Sequence, residues 1–221
     1  MGRAPLVAAG GALVLDRLVL DRLVAPEWVA ALRAEARAAR PNAALQHRAH
    51  PCPGGWRAAM PAQRLSSAPG GPVLDAVYAD RDLAHRIGRL VGTGAWPTGS
   101  RGSYSFYDHP GDFLGLHRDI QTCDVTLIVC LERSGGAAPD TGALRLYPAA
   151  ARRPLEDITP TSPARDISMR PGQAVVLLGG VIPHRVLPAD ETFRRSIAVL
   201  CFRAEGTINA PPSHAAATAP K

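Results

Sequence analysis

The stretch SYSFYDHPGDFLGLHRD, residues 103–119, decides the fold, because around it the spacing of apolar residues becomes that of strands. Segments with this character lie at Ser103–Tyr107, Phe113–Asp119, Val125–Leu131, Ala143–Tyr147, Arg165–Met169, Ala174–Leu178, His184–Leu187 and Ser196–Phe202, separated by Gly, Pro and Asp turn signals. Eight short strands in about a hundred residues predict a β-sandwich or a barrel.

Upstream the chain reads as mainly helical. Ala12–Asp16 and Leu18–Leu23 are short apolar stretches with strand character. Pro26 suits the first turn of a helix, and Trp28, Val29, Leu32 and Ala36 recur at helical spacing up to about Ala39. Residues 40–71 are rich in Pro, Gly, Ser and His and read as one long irregular segment. It is a candidate lid carrying His47, Arg48, His50, Trp56 and Arg64. Two helices follow, one over Val73–Tyr78 and one from an Asp80 N-cap with Leu83, Ile87 and Leu90 on one face. The expected organisation is one domain over residues 1–203, with helical support over 1–98 and a β core over 99–203. An Ala/Pro/Thr-rich tail over 204–221 is expected to be disordered.

A chain of 221 residues with 46% hydrophobic and 20% charged residues can bury a core and has ordinary globular composition. No apolar run approaches the roughly 18 residues of a membrane span, since Asp16, Arg17, Asp21 and Arg22 interrupt the stretch from Leu6 to Val24. No clear small-residue cleavage site follows a continuous apolar core, so a cytoplasmic location is expected. The net charge of +6 invites a nucleic-acid reading. Only Lys221 of the 25 basic residues is a lysine, however, and the arginines are scattered without a run of five, as a GC-rich coding sequence would give. Neither a nucleic acid nor a membrane is expected as a partner. The four cysteines show no CxxC spacing, and Cys123, Cys130 and Cys201, in apolar strand-like segments, read as reduced and buried.

His117 and Asp119 stand at i and i+2, which on a strand puts both on one face with Arg118 on the other. Alone, this pattern is weak. A third ligand is available in His184, which follows the strand ending at Leu178 and a Gly179-Gly180 turn. Two histidines and a carboxylate on one side of a metal leave the other side open, as in non-haem iron(II) oxygenases. Ten residues beyond His184, Arg194-Arg195-Ser196 opens the last strand. A dicarboxylic co-substrate chelating iron at one end needs a cation at the other, and an arginine fork matches a carboxylate. Strand alternation groups Arg194, Ser196, Ala198 and Leu200 on one face and Arg195, Ile197, Val199 and Cys201 on the other. The first set is smaller and more polar and suits a cavity lining; Arg194 is therefore the expected cation.

Taken in order, Tyr107 and Gly111, His117-Arg118-Asp119, Val125 to Leu131, Gly142 through Pro148, Pro171-Gly172, His184 and Arg194-Arg195-Ser196 resemble the prolyl-4-hydroxylase-like branch of the 2-oxoglutarate/Fe(II) oxygenases. The resemblance spans about the last half of the chain. It implies a double-stranded β-helix, a jelly-roll or cupin-like barrel of two antiparallel sheets, with N-terminal helices supporting one sheet. It implies His117, Asp119 and His184 as ligands of Fe(II), Arg194 and Ser196 as partners of the distal carboxylate of 2-oxoglutarate, and Tyr107 as a further co-substrate contact. O2 is then the third reactant, and hydroxylation with release of succinate and CO2 the reaction. Relatives that halogenate have Gly or Ala where this chain keeps Asp119. One departure is Cys130, which stands where hypoxia-type prolyl hydroxylases have a second co-substrate tyrosine.

The expected substrate is an amino acid, a peptidyl residue or another small metabolite. Arg145, Arg118 and His109 are candidate substrate contacts, although alternation turns Arg118 away from the metal. The alternatives are a nucleic-acid or protein demethylase of the same fold, a cupin-type metal-binding protein that does not use 2-oxoglutarate, and a non-catalytic interaction domain.

Overall fold

The computed structural model describes residues 4–16, 26–52, 60–151 and 153–206. The strand candidate Leu18–Leu23, Trp56 and the tail from residue 207 lie outside them. Helix α1 (Pro5–Ala8), strand β1 (Ala12–Leu15) and helix α2 (Pro26–Ala39) come first. They are followed by strands β2 (Ala44–Arg48) and β3 (Gln63–Pro69), helices α3 (Pro72–Ala79) and α4 (Arg81–Val91), and strand β4 (Ala95–Pro97). The remainder is β5 (Ser103–Tyr107), β6 (Phe113–His117), β7 (Val125–Ser134), β8 (Leu144–Leu146), β9 (Arg165–Ile167), β10 (Ala174–Leu177), β11 (His184–Val186) and β12 (Arg194–Ala204).

From β5 onward the chain passes back and forth between two sides, with β8 and β9 consecutive on one of them. Strands β5, β7, β10 and β12 form a long sheet, extended by β1 in the order β1-β10-β7-β12-β5; β6, β11, β8 and β9 form a short one, in that order. Every pairing is antiparallel. This winding is the double-stranded β-helix expected from the resemblance.

The two sheets are joined where an irregular segment was expected. Within residues 40–71, β2 and β3 pair as antiparallel strands, and β3 pairs at Ser66–Pro69 with β5 and at Gln63–Arg64 with β6. A strand that crosses from one sheet to the other buries its faces unevenly, with Leu65 and Ala68 buried three positions apart. The period-two signal of a strand is lost there, and the Pro, Gly and Ser content dominates the reading.

Helices α2, α3 and α4 back the outer face of the long sheet. The buried side chains of α2, Val29, Leu32 and Ala36, follow the helical period. Its polar residues act across the interface: Arg33 Nε donates to the Leu131 carbonyl (2.9 Å) and Arg37 Nε to the Glu132 carboxylate (2.6 Å). Glu35 accepts from the amides of Gly71, Val73 and Leu74 and from the Tyr104 hydroxyl, at 2.6–3.2 Å. One carboxylate thus satisfies the amides at the N-terminus of α3, which has no capping side chain of its own. Burial works against its charge, but these hydrogen bonds hold the Glu35 carboxyl below the usual range, while Tyr104 is pushed up by its own burial and then by the Glu35 carboxylate. Asp80 caps α4 as expected, accepting from the Asp82 amide.

Cys123 and Cys201 are joined in a disulfide, which corrects the expectation of reduced cysteines; Cys130 is free and buried. The two are 78 residues apart, and β7–β12 pairing brings them together, with the Asp124 amide donating to the Phe202 carbonyl. Spacing in the sequence carries no trace of a pairing that the sheet register creates. Such bonds persist in oxidising surroundings and are rare in the cytosol, which counts against the expected cytoplasmic location. Among the described residues no helix is long and apolar enough to cross a membrane.

Candidate metal centre

The short sheet brings the two histidines together. In the pairing of β6 with β11, His117 and His184 are direct partners, and their rings lie 4.2 Å apart between centroids. Asp119 follows the end of β6 and is held by its amide, which donates to the Gly179 carbonyl (3.0 Å). Its Oδ1 lies 3.6 Å from Nε2 of each histidine. One ligand atom from each of the three residues falls within a sphere where all are no more than 4.8 Å apart.

The surroundings fix these atoms. Nδ1 of His117 bonds the Gly115 carbonyl (2.8 Å) and Nδ1 of His184 the Ile182 carbonyl (2.9 Å). Carbonyls only accept, so each Nδ1 carries a proton and each Nε2 presents a lone pair to the shared space. Oδ2 of Asp119 accepts from the Thr126 hydroxyl, leaving Oδ1 to the histidines. Position 179 must be glycine for this carboxylate to fit, because a Cβ there would stand 1.7 Å from Asp119 Oδ2. Burial works against the Asp119 charge, yet the two imidazoles hold its carboxyl well below the usual range. Burial and the neighbouring His184 lower His117; His184 is raised by Asp119 despite its burial. Two imidazole nitrogens and one carboxylate oxygen, all oriented, are the donor set of a facial two-histidine, one-carboxylate iron site.

Of the two arginines that open β12, Arg195 and not Arg194 turns into the barrel interior. Arg195 is 2% exposed and pairs in register with Tyr107, so both side chains leave the sheet on the same side. Its guanidinium lies 4.5 Å from the Tyr107 ring centroid and donates to the Gly142 carbonyl (2.6 Å); its buried Nε has no partner. Burial lowers its pKa, and no carboxylate of the described residues pairs with it. Arg194 turns the other way, onto the carbonyls of Glu191 and Phe193 (2.9 and 2.6 Å). Ser196 lies on the helix-facing side, 3.3 Å from Glu132 Oε2. Ser196, Ala198, Leu200 and Phe202 face the helices, and Arg195, Ile197, Val199 and Cys201 face the interior, the reverse of what side-chain size suggests. Cys130 is also interior, buried, with its thiol pushed up to about 11 by burial. Tyr107 is buried against the Arg195 guanidinium.

The three candidate substrate residues are engaged elsewhere. Arg118 is buried and donates to the carbonyls of Val181, Ala150 and Arg153, tying two loops together. Arg145 points out of the short sheet into a two-pronged pair with Asp166 (2.7 and 2.6 Å). His109 is exposed in the turn after β5, 3.5 Å from the buried Asp112. Thr126 and Gly179 carried no signal in the sequence beyond lying in a strand and a turn.

The sequence matches no family model and no curated protein. Solved structures do resemble it. A Pseudomonas putida prolyl-4-hydroxylase has a TM-score of 0.57 and 22% identity, with 91% of this chain and 96% of that one covered. The non-haem α-ketoglutarate-dependent epimerase SnoN from nogalamycin biosynthesis has a TM-score of 0.60 and 13% identity, covering 93% and 84%. A prolyl hydroxylase from Trichoplax adhaerens, in complex with a peptide fragment of the hypoxia inducible factor oxygen degradation domain, has a TM-score of 0.59 and 15% identity, covering 89% and 86%. The chain therefore has the jelly-roll fold of the 2-oxoglutarate/Fe(II) oxygenases, prolyl-4-hydroxylases among them.

Proposed function

We propose that the protein is an iron(II)- and 2-oxoglutarate-dependent oxygenase that hydroxylates a C–H bond of an amino acid, a peptidyl residue or another small metabolite. The observation that carries this reading is the convergence of His117, Asp119 and His184 in a barrel whose interior also holds Arg195, a buried cation with no carboxylate partner among the described residues. The peptide bound to the Trichoplax relative supports keeping a peptidyl residue among the substrates.

Each residue has a definite task. His117 and His184 hold the metal through Nε2, and Asp119 supplies one negative charge. Thr126 fixes which carboxylate oxygen is offered. Arg195, with Tyr107 beside it, receives the distal carboxylate of 2-oxoglutarate; burial strengthens that pair because water does not screen it. Cys130 leaves this pocket without a second tyrosine hydroxyl. Iron(II) held here, with 2-oxoglutarate and dioxygen, supplies the oxidising chemistry, and the co-products are succinate and carbon dioxide. The apolar walls from β7, β10 and β12 keep bulk water from the reacting groups.

The test is succinate formation by iron-loaded protein under air, screened over free amino acids and short peptides. Substrate-stimulated succinate is expected from the wild type and none from His117→Ala. A folded, iron-loaded protein that never consumes 2-oxoglutarate contradicts the reading.

A further inference from the structure

A second concavity lies on the helix side of the molecule and shares no lining residue with the metal centre. Between α4 and β4 a cavity of about 710 Å³ has Arg81, His85, Gly88, Arg89, Gly94 and Trp96 in its lining. The three basic residues occupy i, i+4 and i+8 of α4 and are exposed. None of them has an ion pair or hydrogen bond to the described residues. Trp96, 44% exposed, forms the opposite wall, with Arg203 beside it in register on β12. Carboxylates border the row: Asp80, engaged with the Asp82 amide, Asp82 itself in the first turn of α4, and Glu205, close to Gly94.

We propose that this groove docks an extended acidic segment of a polypeptide partner, with carboxylates at alternate positions set against Arg81, His85 and Arg89 and an apolar side chain against Trp96. Spacing argues for this occupant. Helix residues four apart rise about 6 Å, and alternate residues of an extended chain are about 6.7 Å apart on one side. A row of basic groups at that interval matches carboxylates along a strand. A phosphate wants donors converging on one point, and this row does not converge. The acids at its borders limit the segment to the basic stretch between them.

The test uses the full chain without added metal, so its outcome is independent of the oxygenase reading. A fluorescein-labelled nonapeptide alternating Glu with Ala is titrated at low and moderate salt, with anisotropy and Trp fluorescence as readouts. Saturable binding is expected, weakened about tenfold in Arg81→Ala/Arg89→Ala and retained in Arg81→Lys/Arg89→Lys, whose preserved charge controls for folding. Trp96→Phe should remove the fluorescence response. Equal binding by wild type and the double alanine variant overturns the proposal. So does equal binding of a peptide with its glutamates in one block, which removes the spacing argument. Tighter binding of inorganic phosphate, ATP or an RNA oligonucleotide than of the peptide also overturns it, in favour of a phosphate site.

Discussion

The long sheet has two buried faces, and they are built of different material. The face toward the helices is closed by apolar contacts such as Tyr78 edge-on to Phe202, with ring centroids 5.5 Å apart, and by charged groups that meet opposite charges or donors, Glu35 with three amides and a hydroxyl and Arg40 with Asp108 and Glu132. The face toward the barrel interior carries Arg195, Tyr107, Thr126, Cys130 and the Cys123–Cys201 disulfide, and it contains a buried guanidinium nitrogen without a partner. Arg195 has a carbonyl and two aromatic rings around it but no carboxylate among the described residues, and a buried cation without a counter-charge costs several kcal/mol. The helix face holds the fold; the interior face is prepared for something the chain itself does not supply.

That division can be broken by substitution, and the largest effect belongs to the interior. His184→Ala should lower Co(II) or Fe(II) affinity by more than about a hundredfold, since a ligand counts for more than its supporting shell, while the melting temperature of metal-free protein changes little by comparison. Next, Gly179→Ala should cost about ten- to a hundredfold in metal affinity with the fold intact, because the new Cβ displaces the Asp119 carboxylate. A Co(II) titration read by absorbance checks both, and an unchanged affinity in Gly179→Ala would separate that carboxylate from the site.

On the helix face the pattern should invert. Glu35→Gln should destabilise by about 1–2 kcal/mol, losing a charged acceptor for helix amides, and leave metal affinity unchanged. The folded carboxyl is held below its unfolded value, so its contribution is complete above the ordinary glutamate range and drains away as pH falls through the folded pKa. Urea unfolding of wild type and Glu35→Gln should therefore converge as pH drops below that range; a gap that persists in acid would mean the stabilisation is not the carboxylate's. The smallest effect should come from Arg145→Ala, on the outer face of the short sheet. Its pair with Asp166 is partly exposed and worth under about 1 kcal/mol, and 2-oxoglutarate turnover should be unaffected.

How much of this was legible follows from the same two faces. The strands from Ser103 onward read correctly because turn residues punctuate them, and α2 and α4 because their apolar residues recur on one side. His117, Asp119 and His184 were legible as chemistry types at the right separation. The inward direction of β12 was not. Alternation says which residues share a face, but on a strand buried on both sides it does not say which face looks inward, and judging by side-chain size chose Arg194 and Ser196 over Arg195. The β2–β3 pair was hidden because β3 changes sheets midway, and the disulfide because register, not spacing, brings Cys123 to Cys201.

The most direct test of the central claim is an anaerobic titration of Fe(II)-loaded protein with 2-oxoglutarate, followed by the visible charge-transfer band expected when the co-substrate chelates iron. Wild type and Arg194→Ala should saturate within about threefold of each other, whereas Arg195→Ala should need about a hundredfold more 2-oxoglutarate, as loss of a buried charge-assisted pair implies. A wild type with no band, or an Arg195→Ala variant that titrates like the wild type, would contradict the account.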